Sequence, residues 1–126
     1  MEEKKNSNWM IYTILIIIIM GGILFFVGIS AGGDYDEFAQ CLTDNGAKMY
    51  GAYWCPHCAE QKKIFGNSWK HVDYVECSLP NRAGTTQICI EENIQSYPTW
   101  EFSDGTKVSG FQSLQTLAQK TGCSLN

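Results

Sequence analysis

Residues 48–65 read KMYGAYWCPHCAEQKKIF, and this stretch decides the fold. Its first part is apolar, and we predict a short buried strand over residues 47–53. Proline is tolerated in the first turn of a helix, so Pro56 indicates a helix that begins there and runs to about residue 65. A glycine and an asparagine follow, which is typical of a helix end. The sequence therefore predicts a strand followed at once by a helix, with two cysteines at the junction.

The two cysteines of this junction have the spacing of a redox-active dithiol. Cys55 is placed at the helix N-terminus, where free N–H groups and the helix dipole favour the thiolate. Cys58 lies one turn further in and is expected to be more buried. We predict that Cys55 is the nucleophile and that Cys58 resolves the mixed disulfide. His57 can add charge or a hydrogen bond to the thiolate, and its alternative is a solvated residue at the helix start.

The surrounding pattern predicts an α/β domain with a four-stranded mixed sheet flanked by helices. Asp34 is predicted to cap a first helix that ends near residue 45. A helical crossover makes the first two strands parallel, and a hairpin adds two antiparallel strands. The remaining predicted elements are a strand over 71–77, a loop over 79–84, a helix from Thr85 or Thr86 to about residue 93, a hairpin of 98–102 and 106–109, and a last helix over 112–121.

Aromatic residues beside predicted strands are more often core than surface. We therefore expect a set of them in the core: Tyr50, Phe65, Phe102 and Phe111. The same argument places Tyr53 and Trp100 in the core. Trp54 precedes Cys55 directly, and we expect it on an apolar rim around the dithiol.

An apolar run over residues 10–29 precedes the domain. Twenty helical residues extend for about 30 Å, the thickness of the hydrocarbon core of a bilayer. The run is longer than the apolar core of a signal peptide, so we predict one transmembrane helix and an anchor over residues 9–31 that contacts the lipid bilayer. Small residues over 30–33 keep cleavage and secretion open as the alternative.

The charges beside this run predict its orientation. Lys4 and Lys5 precede it, whereas Asp34, Asp36 and Glu37 follow it. By the positive-inside rule, residues 1–8 form a cytoplasmic tail, and residues 32–126 form an extracytoplasmic domain. The predicted location is thus the cell membrane, with a single pass.

Composition agrees with this location and excludes some partners. Six cysteines, an even number in 126 residues, are typical of an oxidising compartment. The formal net charge is −4 and no basic cluster exists, so we expect no nucleic-acid partner. Lys62 and Lys63 are most simply a solvated helix face. We predict no cofactor, and Ala59 stands where a c-type haem would need a histidine.

The motif Trp54-Cys55-Pro56-His57-Cys58, followed by Tyr97-Pro98-Thr99, resembles the thioredoxin superfamily. The longer string from Lys48 to Cys58, with Tyr74-Val75-Glu76-Cys77 and Tyr97-Pro98-Thr99-Trp100, is most similar to the thioredoxin-like domain that accompanies bacterial vitamin K epoxide reductase homologues. This resemblance covers residues 37–122 and implies a thioredoxin-like sheet. It also implies that Pro98 is cis and shapes a substrate groove, which we predict to comprise Trp54, Pro56, Tyr97, Pro98 and Thr99.

The resemblance also bears on the other four cysteines. The similar domain has a second disulfide in the region of Cys77 and Cys89, which implies that pair and leaves Cys41 with Cys123. Six cysteines allow many pairings, so the sequence alone leaves this open, with Cys41 and Cys123 as buried free thiols as the alternative. Whether the Cys77–Cys89 pair also carries electrons is open as well.

The implied activity is thiol–disulfide exchange with exported cysteine-containing proteins. The Pro-His dipeptide resembles DsbA-type oxidants, and Met49 stands where cytoplasmic thioredoxins carry a buried aspartate, which argues against a strong reductant. The chain lacks the multi-helix quinone-reducing domain, so reoxidation is expected from a separate vitamin K epoxide reductase-like or DsbB-like membrane oxidase.

Other functions remain as alternatives. A disulfide reductase, serving cytochrome maturation for example, would use the same dithiol in the opposite direction. No metal site is predicted, because Cys77 and Cys89 are too far apart for a second zinc knuckle, although copper or zinc carriage by the dithiol stays possible. A redox-inert interaction domain is disfavoured by the dithiol and the groove proline together.

Overall fold

The computed structural model describes residues 7–27 and 34–125, which belong to two compact units, Met1–Ala31 and Gly32–Asn126. The first unit contains helix α1, Ser7–Val27, in which Thr13 donates its hydroxyl hydrogen bond to the Met10 carbonyl. Its side chains are described from 8 to 22, and over the described residues no helix is long and apolar enough to cross a membrane. The predicted tail up to residue 6 and the small residues at 30–33 lie outside the described residues.

The second unit alternates helices and strands in the predicted order. Its regular elements are α2 Asp36–Asp44, β1 Lys48–Gly51, α3 Pro56–Phe65, β2 Asp73–Glu76, α4 Gln87–Glu91, β3 Thr99–Glu101, β4 Lys107–Ser109 and α5 Leu114–Thr121. Short 3-10 turns occupy Gly66–His71 and Pro80–Arg82. The first of these turns takes up the start of the strand predicted over 71–77, so β2 begins only at Asp73.

The strands form one mixed sheet in the order β2-β1-β3-β4. Strand β1 is parallel to β2, as a crossover through α3 requires, and antiparallel to β3. Strands β3 and β4 are antiparallel and form the predicted hairpin. The α/β class and the four-stranded mixed sheet with flanking helices are therefore confirmed.

The two faces of the sheet have separate cores, because neighbouring residues of a strand point to opposite sides. Met49 and Trp100 belong to the larger core, with Leu42, Phe65 and Leu117 from the helices. Tyr50 belongs to the smaller core on the other face, together with Cys77, Cys89 and Ile94.

The polar side chain of Gln61 lies fully buried in this fold. The amide nitrogen of Gln61, on α3, donates to the carbonyl of Gln112 at 2.9 Å. Its amide oxygen accepts from the backbone N–H of Gln112 at 2.8 Å and from the indole N–H of Trp100 at 3.2 Å. The burial cost of the amide is offset by these hydrogen bonds, which hold α3 to the segment after β4.

Three predictions about single residues are wrong. Asp34 does not cap α2, which begins at Asp36 with Tyr35 as its N-cap, and the Tyr35 N–H is bound instead by the Ser68 hydroxyl at 3.1 Å. Phe111 is 44% exposed, because the adjacent residue 112 is held by its backbone and the chain follows the surface there. Tyr53 is also exposed, at 54%, since β1 ends before it. The expected burial of the other core aromatics is confirmed for Tyr50, Phe65, Phe102 and Trp100.

Candidate functional site

Two free cysteines lie at the N-terminus of α3. Cys55 is the N-cap residue, with extended backbone, and Pro56 occupies the first helical turn. Cys55 is 7% exposed and Cys58 is 1% exposed. The outer sulfur is thus the one a substrate can reach, and the inner sulfur is enclosed by the domain.

The enclosure of Cys58 determines its protonation. Burial raises the pKa of the Cys58 thiol to about 12; a hydrogen bond with the Ala52 backbone opposes this, and the neighbouring Cys55 thiol adds to it. Only the thiolate is a nucleophile, so near neutral pH Cys58 is held in its unreactive form. The greater exposure of Cys55 and the raised pKa of Cys58 favour Cys55 for the first attack and Cys58 for a step that begins only after a mixed disulfide has formed.

Gly51 allows the Cys58 sulfur to approach the sheet. A methyl group added at Gly51 would lie 2.9 Å from that sulfur and 2.9 Å from Cε2 of Tyr74. Real side chains do not tolerate such contacts, so only glycine fits at the end of β1. The thiol and the Tyr74 ring therefore meet at one point beside the strand.

Two charged side chains also contact Tyr74. Its hydroxyl donates to Glu76 at 2.7 Å, and Nζ of Lys62 lies 4.0 Å from the ring centre. Burial and then this carboxylate raise the pKa of Tyr74. Lys62 is thus packed against an aromatic ring, and the prediction of a merely solvated face is wrong for it. Sequence reasoning missed this group, because β2 brings it beside the dithiol only in the folded sheet.

The loop before β3 lies opposite the dithiol, at the place where the groove is predicted. The Tyr97–Pro98 peptide bond is cis, and Pro98 is fully buried. The Cys55 thiol donates to the Tyr97 carbonyl at 3.7 Å. Thr99 is buried and donates its hydroxyl hydrogen bond to the Ser96 carbonyl at 2.8 Å. The Tyr97 carbonyl of this loop therefore faces Cys55, whereas Thr99 pairs with Tyr50 of the smaller core and Pro56 is exposed on the helix side.

Trp54 forms one side of this groove. It is 38% exposed, and its indole N–H donates to the Ser78 hydroxyl at 2.8 Å. Its ring packs edge-on against Tyr97, with 6.1 Å between the ring centres. The indole is therefore fixed beside the reactive sulfur.

The His57 ring is exposed and contacts the next turn of the helix on which it lies. Its Nδ1 lies 3.4 Å from a carboxylate oxygen of Glu60, and both side chains are about two-thirds exposed. The structure therefore places His57 in contact with Glu60, one turn along the helix.

The other four cysteines form two disulfides, Cys41–Cys123 and Cys77–Cys89, which are the pairs that the resemblance implies. Cys77 and Cys89 are fully buried, so a substrate thiol cannot reach them. The Asn45 amide donates to both sulfurs of the first disulfide at 3.2 Å. Within residues 7–27 and 34–125, no group of three or more histidine, cysteine or acidic side chains is placed to hold a metal ion.

No family model matches the chain. The chain is similar to thiol-disulfide oxidoreductase LTO1 of Arabidopsis thaliana, with 44% identity over 92 residues. The match covers 70% of this chain and 24% of the relative, so the chain spans about a quarter of the length of the curated relative it matches.

Proposed function

We propose that this chain is a thiol–disulfide oxidoreductase that acts on exported proteins through the Cys55–Cys58 dithiol. The observation that carries the proposal is the graded exposure of the two sulfurs at the N-terminus of α3, with the outer one facing the cis-proline loop. The name of the Arabidopsis relative supports the same chemistry. A member of the thioredoxin superfamily, similar to the domain that accompanies vitamin K epoxide reductase homologues, would have this arrangement.

The proposed exchange begins with the oxidised enzyme. A substrate thiolate attacks the Cys55 sulfur, the Cys55–Cys58 bond breaks, and its electron pair goes to Cys58, which takes up a proton. A second substrate thiolate then attacks the substrate sulfur of the mixed disulfide and releases Cys55. The substrate has lost two electrons and gained a disulfide. The raised pKa of Cys58 favours its protonation after the first step, which slows its return attack on the mixed disulfide.

The reduced dithiol must then be reoxidised before the next cycle. We propose a vitamin K epoxide reductase-like or DsbB-like membrane oxidase that passes the electrons to a quinone. The apolar run over 10–29, with basic residues before it and acidic residues after it, supports an anchor over 9–31 that holds the enzyme in the same membrane. Residues 1–8 would then be cytoplasmic and the dithiol extracytoplasmic. Reductase activity uses the same residues with opposite electron flow, and the reduction potential of the dithiol distinguishes the two directions.

Replacement of the two cysteines one at a time tests the proposal. In Cys58→Ser the Cys55 thiolate can still attack a disulfide of an exported protein or of the membrane oxidase, and the mixed disulfide that forms lacks the neighbouring thiol that would release Cys55. The variant should therefore accumulate covalent complexes with both. Cys55→Ser should accumulate few, because the remaining thiol is enclosed. Non-reducing gels of the two variants, with identification of the trapped chains, make the measurement.

Two outcomes would count against the assignment. Equal trapping by both variants would contradict the separate roles of the two cysteines. Absence of trapping by either, with tight copper or zinc binding by the reduced protein, would replace the enzyme by a metal carrier.

A further inference from the structure

The loop between β2 and α4, residues 77–86, is held firmly beside the groove. Ser78 and Thr85 form an isolated antiparallel bridge, and the Leu79 N–H donates to the Gly84 carbonyl at 2.9 Å. The Cys77–Cys89 disulfide fixes the base of the loop. The loop therefore has a defined shape although it is largely exposed.

Two consecutive residues at the tip of this loop have unfavourable backbone angles. Asn81 has φ of 57° and Arg82 has φ of 56°, in the left-handed region that side chains other than glycine rarely adopt. Such strain is retained where the surrounding structure imposes it, and it concentrates at functional sites. Here the Arg82 N–H donates to the Tyr53 hydroxyl at 3.2 Å, which connects the strained tip to the segment that leads into Cys55.

The result of this geometry is a cation on the ring of Trp54, the residue that precedes Cys55. The guanidinium carbon of Arg82 lies 5.1 Å from the ring centre of Trp54, and Trp54 is the neighbour of Cys55. Arg82 is exposed, and no carboxylate in the described part of the chain lies within ion-pairing distance of it. The nearby carboxylate of Glu76 is bound by the Tyr74 hydroxyl and by the N–H groups of Tyr53 and Ser78.

We propose that Arg82, stacked on Trp54, is a recognition site for the carboxylate of an acidic residue that flanks the reactive cysteine of a substrate protein. The planar guanidinium can bind a carboxylate through two N–H groups while its face stays on the indole. The inference rests on the proposed function, because it concerns the substrates of the same dithiol. It names a substrate class, unfolded segments in which a cysteine has an aspartate or glutamate close by.

The net negative charge of the enzyme repels such acidic substrates at long range. The chain has a net charge of −4, so an acidic segment is repelled at a distance and attracted only where Arg82 is within reach. Recognition by this residue is therefore local and depends on the Trp54 platform.

The test measures how fast the oxidised full-length protein, in detergent micelles, is reduced by short synthetic peptides. The peptides carry one central cysteine flanked by aspartates, asparagines or lysines, and the reduced fraction is counted after acid quenching and thiol alkylation. The aspartate peptide should react about three-fold faster than the asparagine peptide at low ionic strength, which is the effect of one exposed charge pair. High salt should reduce this ratio toward unity.

Variants assign the preference to Arg82. Arg82→Gln should bring the ratio of aspartate to asparagine rates to about one, whereas Arg82→Lys, which keeps the charge, should retain part of the preference. Lys63→Gln removes the same charge from the exposed face of α3 and should keep the full ratio.

The outcomes separate this inference from the function on which it rests. A preference that survives in Arg82→Gln, or is lost equally in Lys63→Gln, would overturn the role of Arg82, and so would equal rates for the peptides with wild-type protein. Failure of every peptide to reduce a disulfide that dithiothreitol does reduce would instead reject protein thiols as substrates, and with them the proposed function.

Discussion

Gly51 sets the distance between the buried thiol and the sheet. A larger residue there must displace either the Cys58 sulfur or the Tyr74 ring, since a Cβ would lie 2.9 Å from an atom of each. Because Cys58 belongs to the larger core and Tyr74 packs against it, the displacement would extend into that core. The strand therefore ends in glycine for a steric reason, not for backbone freedom.

A single methyl group tests this steric argument. Gly51→Ala should lower the free energy of unfolding by about 1–3 kcal/mol, the usual cost of overpacking a core. It should also slow closure of the Cys55–Cys58 disulfide. Denaturant unfolding and the rate of oxidation give the two quantities. Gly22→Ala, where nothing lies within 4 Å of the added Cβ, is the matched control. Wild-type stability in Gly51→Ala would show that the thiol has room to move.

The protonation of Cys58 predicts a pH effect confined to the reduced protein. Its pKa is raised from the usual 9.0 to about 12, so over that interval the folded protein keeps a proton that the unfolded chain has lost. Stability of the reduced form therefore falls as pH rises through the interval. The oxidised form has no such thiol, and the main causes of the raised tyrosine pKa values, burial and the hydrogen-bonded glutamates, are common to both forms. Unfolding midpoints of the two forms should diverge above pH about 9. A constant difference would contradict the burial argument.

At the scale of elements, we expect the two disulfides to differ in their effects on stability and on substrate exchange. Cys41–Cys123 joins α2 to the end of α5 across 82 residues, whereas Cys77–Cys89 closes a loop of only 12. Loop-closure entropy gives the first the larger effect on stability. The second lies under the loop that supports Trp54 and Arg82, so its effect on substrate exchange is larger.

Paired alanine variants separate these effects. Cys41→Ala with Cys123→Ala should cost about 4 kcal/mol of stability, and Cys77→Ala with Cys89→Ala about 3 kcal/mol, in the chain-entropy model. The second pair should show the greater loss in the rate of exchange with a cysteine peptide, because the rim is then held less firmly. Chemical denaturation and peptide kinetics at a temperature where both variants are folded give the comparison. Equal exchange rates would remove the link between the loop and the groove.

Much of the element order was accessible from periodicity and turn residues. Pro56 predicts the start of α3 correctly, and Gly122, which follows α5 in a left-handed conformation, marks its end. Boundaries were less accessible: the start of α2 depends on Ser68, which is distant in sequence and supplies the acceptor for the Tyr35 N–H. Phe111 is exposed for a similar reason, since Gln61 holds the adjacent backbone.

The functional site could likewise be predicted only in part from the sequence. The dithiol and the groove proline could be named from the sequence, because their local spacing carries the chemistry. The positions of Tyr74 and Arg82 could not, because strand pairing brings Tyr74 to Cys58 and a strained loop brings Arg82 to Trp54. A positive φ at a non-glycine residue leaves no pattern in a single sequence.

At the scale of the whole molecule, the proposed topology predicts where the redox domain lies. Protease added to intact spheroplasts should digest the Gly32–Asn126 unit, and alkaline carbonate should leave the intact protein in the membrane. A cytoplasmic protein that stays undigested is the control for intact spheroplasts. Protection of the domain would reverse the proposed orientation, and release by carbonate would replace the anchor by a cleaved leader.

The side chain of Gln61 behaves like an extra peptide group inserted between a helix and a strand. It offers one donor and one acceptor to Gln112 in the manner of a neighbouring strand, and the indole of Trp100 completes the set. Helix α3 could slide or rotate against the hairpin only by breaking all three hydrogen bonds at once. These hydrogen bonds therefore hold the helix that carries the dithiol in one position. We therefore expect oxidation and reduction of the dithiol to move the two sulfurs while α3 keeps its position against the sheet.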